Sequence, residues 1–152
     1  MKQLKFLLKI VLATAYIVVL YYLLFAAESL GRGGGAAGDI NLIPFHEIKR
    51  YINHVDSLGL FAVVANLLGN VVLFMPLGYF LPSFFARERL RPHFTIPISM
   101  CISIAVEVSQ FMTGTGSMDI DDVILNTLGG IIGYLVYAFM HPDIRDGEYD
   151  DE

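Results

Sequence analysis

The sequence predicts an all-α membrane protein: an integral bundle of four transmembrane helices, the second kinked at Pro76, with both termini cytoplasmic. Three observations predict it. Of the 152 residues, 55% are hydrophobic and 16% charged, where a soluble domain would carry charge on about a quarter of its residues. The charges are clustered, which leaves four long runs almost free of them. Those runs are apolar on every face and too long for barrel strands, and a backbone in lipid must satisfy its polar groups in a helix or a closed barrel.

The first helix, about 8–27, contains the uncharged run from Ile10 to Ala27 behind Lys2, Lys5 and Lys9. A basic start before an apolar run also describes a signal peptide. This run exceeds the usual signal core of about 7–15 residues and three more apolar segments follow it, so it reads as an uncleaved span. The second helix, 57–85, holds no charge. Pro76 lacks a backbone donor and predicts a kink, and Pro82 predicts an end close by. The third, 93–112, contains one acid, Glu107, and the fourth, 121–140, stops ahead of Pro142.

Residues 1–140 thus form a single transmembrane domain, and 141–152 an acidic cytoplasmic tail. With the N-terminus inside, the cytoplasmic segments hold Lys2, Lys5, Lys9, Arg87, Arg89, Arg91 and Arg145. The opposite side holds only Arg32, Lys49 and Arg50, the asymmetry expected of an N-in, C-in protein. The segment from Glu28 to Asp56 is then an outer loop, opening on the glycine-rich linker Gly31–Gly35, and Thr113–Ser117 lies on the same side.

Composition excludes several classes of function. A net charge of −5 argues against nucleic acid. Cys101 is the single cysteine, forms no intrachain disulfide, and reads as a small buried or lipid-facing hydrophobe. No phosphate loop, nucleotide fingerprint or nucleophile elbow is present. His46, His54, His93 and His141 show no ligand spacing, so neither a cofactor nor a metal site is assigned. Glu107, Asp119, Asp121 and Asp122 offer oxygens suited to magnesium or calcium, but their spacing fits no calcium loop.

The informative residues are polar ones where polarity is costly. Asn66 and Asn70 lie four apart in the second helix, and Glu107 and Gln110 three apart in the third, each pair on one face. Asp119, Asp121 and Asp122 open the fourth helix. Positions 122, 126, 129 and 133 then follow one helical stripe of carboxylate, amide and glycine. In the expected topology all these polar groups fall in the outer half of the membrane. An acid at mid-span costs about 2.5–3.5 kcal/mol on insertion scales and less near an interface, so Glu107 should face protein, with Asn66, Asn70 or Asn126 able to hydrogen-bond it.

Each feature also has a structural reading. Asp119 caps the fourth helix, as acids do at helix N-termini, although one cap does not require three carboxylates. Gly129 and Gly133 read as close helix packing, and Asn66 and Asn70 as amides that tie helices together. Glu107 is the leading functional residue, since acids inside spans are functional by default.

Asn41-Leu42-Ile43-Pro44-Phe45 in the first outer loop, Asn66, Asn70, Phe74-Met75-Pro76-Leu77-Gly78, Glu107-x-x-Gln110, Asp119-Ile120-Asp121-Asp122 and Asn126-Thr127-Leu128-Gly129-Gly130 occur in that order. Together they resemble the VanZ-like family of small bacterial membrane proteins, over roughly residues 39–140. Many relatives carry an arginine ahead of the acidic motif; here the stretch is Gly114–Met118, without one. The resemblance implies a four-helix protein of the bacterial cell membrane. It also implies a link to glycopeptide resistance, because the family's namesake is associated with low-level teicoplanin resistance. It supplies no reaction.

The expected function is therefore that of an accessory envelope protein rather than an enzyme. Its outer polar pocket, built from Asn41, Asn66, Asn70, Glu107, Gln110, Asp119, Asp121, Asp122 and Asn126, would bind a membrane lipid, a cell-wall precursor or a lipophilic glycopeptide. The alternative is an intramembrane enzyme acting on a lipid-linked substrate, with Glu107 as general base and the aspartates holding a divalent ion. A transporter component would need an oligomer to complete a path.

Overall fold

A computed structural model describes residues 2–29, 39–84 and 92–141. Along the chain these form α1 (Lys2–Ser29), β1 (Ile40–Asn41), α2 (His46–Asn53), α3 (Val55–Leu58), α4 (Leu60–Phe84), α5 (Pro92–Thr113), β2 (Met118–Asp119) and α6 (Ile120–Met140). Four helices are long and apolar enough to cross a membrane, over Phe6–Phe25, Leu60–Pro82, His93–Thr113 and Ile120–Met140. The glycine-rich linker, the arginine-rich turn and the acidic tail lie outside the described residues.

Boundaries shift where local chemistry dictates. The first helix begins at Lys2 rather than 8 and continues to Ser29, because its lysines are good helix formers and extend the helix beyond the apolar run. The second span begins at Leu60 instead of 57. Gly59 adopts φ 83°, a left-handed value that ends the short helix α3 and turns the chain into α4. Helix α4 contains both Pro76 and Pro82, and Pro82 is fully buried, so packing holds the helix around it.

The chain is mostly helical, and the first loop adds structure beyond the four spans. Residues 39–58 carry two short helices and a strand, and Ile40–Asn41 pairs in parallel with Met118–Asp119. The Met118 N–H donates to Asp39 O at 2.9 Å. This short pairing fastens the first loop onto the entrance of α6. The helical spacing of Ile48, Tyr51 and Ile52 was the signal for α2.

Helix α6 is the centre of the bundle, packed along α4 and against α5. Apolar surface gains little from contact in lipid, so helices associate by close packing of small residues. Gly129 lies against the Val71 carbonyl, Gly133 against the Met75 carbonyl and Gly78 against the Gly130 carbonyl, and a Cβ at any of them would collide with backbone. Gly130 lies on the side chain of Ser99 in α5, where a Cβ would meet its Cβ and Oγ.

Helix α1 docks through a buried cluster of Leu20, Leu24 and Phe74, flanked by Tyr16, Leu73, Leu77, Ile102 and Val106. Two polar ties reinforce it. The Tyr16 hydroxyl donates to Leu73 O at 2.7 Å, and Gln110 Nε2 donates to Leu24 O at 3.0 Å. Cys101 is exposed on α5, within the candidate span His93–Thr113.

Candidate functional site

The polar residues collect at the end of the bundle where α4 and α6 begin and α5 finishes. Asp119 is the N-cap of α6, in extended conformation, and its carboxylate accepts the Asp121 N–H at 2.8 Å. The same carboxylate accepts from Asn41 Nδ2 at 3.3 and 3.4 Å, alongside the strand pairing of these two residues. The Asp119 N–H donates to Glu107 Oε2 at 3.0 Å. Glu107 is 2% exposed and points into protein, as its position in a span demands.

Asp121 has a role the sequence did not reveal. It is fully buried and accepts the backbone N–H groups of Phe45 at 2.5 Å and Ile48 at 3.1 Å. Phe45 precedes α2 and offers no side-chain cap of its own. A carboxylate from α6 therefore caps α2 from across the fold, adding charge at the positive end of its dipole. Asp122, one residue on, turns to α4 and accepts from Asn70 Nδ2 at 2.5 Å.

Not every expected residue joins this cluster. Asn66 donates back to Ala62 O of its own helix at 2.8 Å. Gln110 ties α5 to α1, and its carbonyl receives the Thr115 N–H at 3.1 Å. Asn126 lies one turn deeper, 1% exposed, and donates to Ser103 Oγ at 2.9 Å. Glu107, Asp119, Asp121 and Asn41 are the expected residues joined by hydrogen bonds at this end, and Asp122 pairs with Asn70 beside them.

Helix α5 adds residues that sequence reading passed over. Thr95, Ser99 and Ser103 are buried and share a stripe with Glu107 and Gln110 at spacings of four, four, four and three. Ser99 Oγ and Asn126 Oδ1 are buried and have no hydrogen-bond partner among the described residues. Polar residues repeating at helical intervals within one span were the available signal.

Electrostatics at this end are set by burial and crowded acids. Burial pushes the Asp119 carboxyl up from its ordinary 3.8; the Asp121 N–H and Asn41 pull it back, while the charges of Asp121 and Glu47 add to the rise. Burial also raises the Tyr51 phenol. Arg50 opposes that rise, and the negative charges of Glu47, Asp122 and Asp119 support it. Helix α2 thus brings Tyr51 and Glu47 within the field of the cluster, with Arg50 paired to Glu47 and stacked 5.1 Å from the Tyr51 ring.

The assembled end offers mainly hydrogen-bond acceptors. Its amide donors, Asn41 and Asn70, already serve aspartates. Among the described residues no three His, Cys, Asp or Glu side chains are arranged to hold a metal ion.

A family model described as VanZ/LLP1 matches residues 12–141 of the chain. Among curated proteins, Protein VanZ of Enterococcus faecium is 28% identical over 111 residues, which cover 73% of this chain and 60% of that protein. The match thus spans less than two thirds of the relative's length. No solved structure matches.

Proposed function

Because the chain belongs to the VanZ/LLP1 family, we propose that it is a multi-pass protein of the bacterial cell membrane that binds the polar head of an amphiphile at the outer leaflet. Both termini lie in the cytoplasm, α4 bends at Pro76, and the carboxylate-rich end of the bundle faces outward. The ligand is a lipid headgroup, a cell-wall precursor or a lipophilic glycopeptide of the teicoplanin kind, and glycopeptide resistance follows from its capture.

One observation carries this reading: Glu107, Asp119 and Asp122 converge with Asn70 and Asn41 at one end of the bundle, drawn from three spans and a loop. Carboxylates are acceptors, so the group they suit is rich in N–H and O–H donors: an amine, a sugar hydroxyl or a peptide amide. Asn126 Oδ1, one turn deeper and without a hydrogen-bond partner among the described residues, supplies a further acceptor. Leaving such a group unsatisfied in lipid is costly, which favours exchange of partners with a ligand.

The test replaces charge and keeps shape. Cells expressing Glu107→Gln or Asp122→Asn should lose teicoplanin tolerance relative to the unaltered protein at equal membrane abundance. Unchanged tolerance at equal abundance would refute the proposed site. The enzyme alternative requires a divalent ion shared by Glu107 and the aspartates, and it would be revived by a chelator-sensitive turnover of lipid-linked substrate by the purified protein.

A further inference from the structure

The first loop carries a surface that the cluster does not account for. Leu42, Ile43, Pro44 and Phe45 are consecutive, apolar and exposed, Ile43 at 66% and Phe45 at 52%. Ile40, two residues earlier, is also exposed. Apolar surface in water costs about 25 cal/mol per Å², and a contiguous patch of it marks a contact.

The depth of this patch follows from its tethers. Phe45 N–H is bound to Asp121, in the first turn of α6, and Asn41 is paired with Asp119 just ahead of that helix. Helix α6 has 21 residues and at 1.5 Å each is about 31 Å long, the thickness of the hydrocarbon core. Its first turn therefore lies at the edge of the acyl chains, and a segment one hydrogen bond away is held at the same level. Leu60 and Phe61, 68% and 85% exposed, open the neighbouring span α4.

Helix α2 completes an interfacial device. Lys49, His46 and His54 are exposed on it or at its end, and Ile52 is exposed beside them, the mix of cationic and apolar groups that lies in a membrane interface. Phe45 itself holds φ 63°, a left-handed conformation that a bulky side chain rarely adopts. Glycine would sit there without strain, so what the position gains from phenylalanine is its outward ring.

We infer that residues 40–53 form an interfacial anchor in which Leu42, Ile43 and Phe45 enter the acyl-chain boundary and Lys49 reaches the phospholipid phosphates. The anchor seats the Asp119–Asp121 cluster at a fixed depth. It stands whichever face of the membrane this end occupies and whatever the cluster binds.

The chain has no tryptophan, so a single Ile43→Trp substitution reports its own surroundings. The full-length variant is reconstituted in phosphatidylcholine and phosphatidylglycerol vesicles, with Leu42→Trp as a second probe and Phe61→Trp as the lipid-facing reference. Ile43→Trp should emit at the blue-shifted wavelength of the reference and lose most of its emission to lipids brominated in the upper acyl chain, with little quenching by aqueous iodide. Quenching by iodide alone would place the segment in water and overturn the inference. Quenching by neither would mean that protein, such as a second copy, covers the patch, and would overturn it equally. Should Ile43→Trp misfold, Leu42→Trp decides by the same criteria.

Discussion

The Asp121 carboxylate receives the Phe45 N–H at 2.5 Å and so closes the N-terminus of a helix that begins 75 residues before it. Through this contact the first loop and the last span fold as one unit. Removing the acceptor should therefore harm stability more than an ordinary surface change. Asp121→Ala leaves two backbone donors without their partner and should cost about 1–3 kcal/mol, read as a lower unfolding midpoint in detergent. Asp121→Asn retains an acceptor and should lose less. An alanine variant as stable as the original would contradict the capping role.

The glycine seam sets a second expectation. A Cβ at Gly133 would collide with the Met75 carbonyl, so Gly133→Val must push α6 away from α4. Overpacking of this kind costs about 1–3 kcal/mol, occasionally more. The lipid-facing change Leu135→Val on the same helix should be near neutral. Thermal unfolding of the two variants in one detergent checks the contrast, and equal midpoints would refute close packing at Gly133.

Burial gives the cluster a pH signature. The Asp119 pKa is raised above its ordinary 3.8, so the folded protein holds this proton more tightly than the unfolded chain does. The associated stability is complete below 3.8 and is lost as pH rises through the folded value. Asp119→Asn keeps a good N-cap and abolishes the titration. The original protein should therefore lose stability relative to the variant as pH climbs above 3.8. Parallel stability–pH curves would show that burial does not perturb Asp119.

The Asn70–Asp122 contact joins α4 to α6 and predicts coupling between them. Asn70→Ala and Asp122→Ala should together cost less than the sum of the single changes, by about 0.5–3 kcal/mol for groups in direct contact. Strict additivity in a double-mutant cycle would mean that the pair contributes nothing to the bundle.

The four spans were legible because lipid imposes a composition that no soluble helix needs. The Asp119 cap and the Gly129–Gly133 seam were legible because each is local to one helix. Asp121 was not, because its partners are backbone groups in a distant loop, and backbone donors leave no mark in a sequence. Asn66 looked equivalent to Asn70 by spacing, yet a donor in a helix can turn back onto its own carbonyls, as Asn66 does with Ala62. Ser99 and Ser103 were passed over because isolated hydroxyls are common in spans; only their shared stripe with Glu107 sets them apart.

An external amphiphile reaches the carboxylate end only if that end of the bundle faces outward. Cys101 is the sole cysteine, so a Cys101→Ala background accepts a single new thiol at Ser117, beside the cluster, or at His141, just past the opposite end of α6. With a membrane-impermeant maleimide, Ser117→Cys should be labelled in intact cells and His141→Cys only after permeabilisation. The reverse pattern would put the cluster in the cytoplasm and contradict the proposed function.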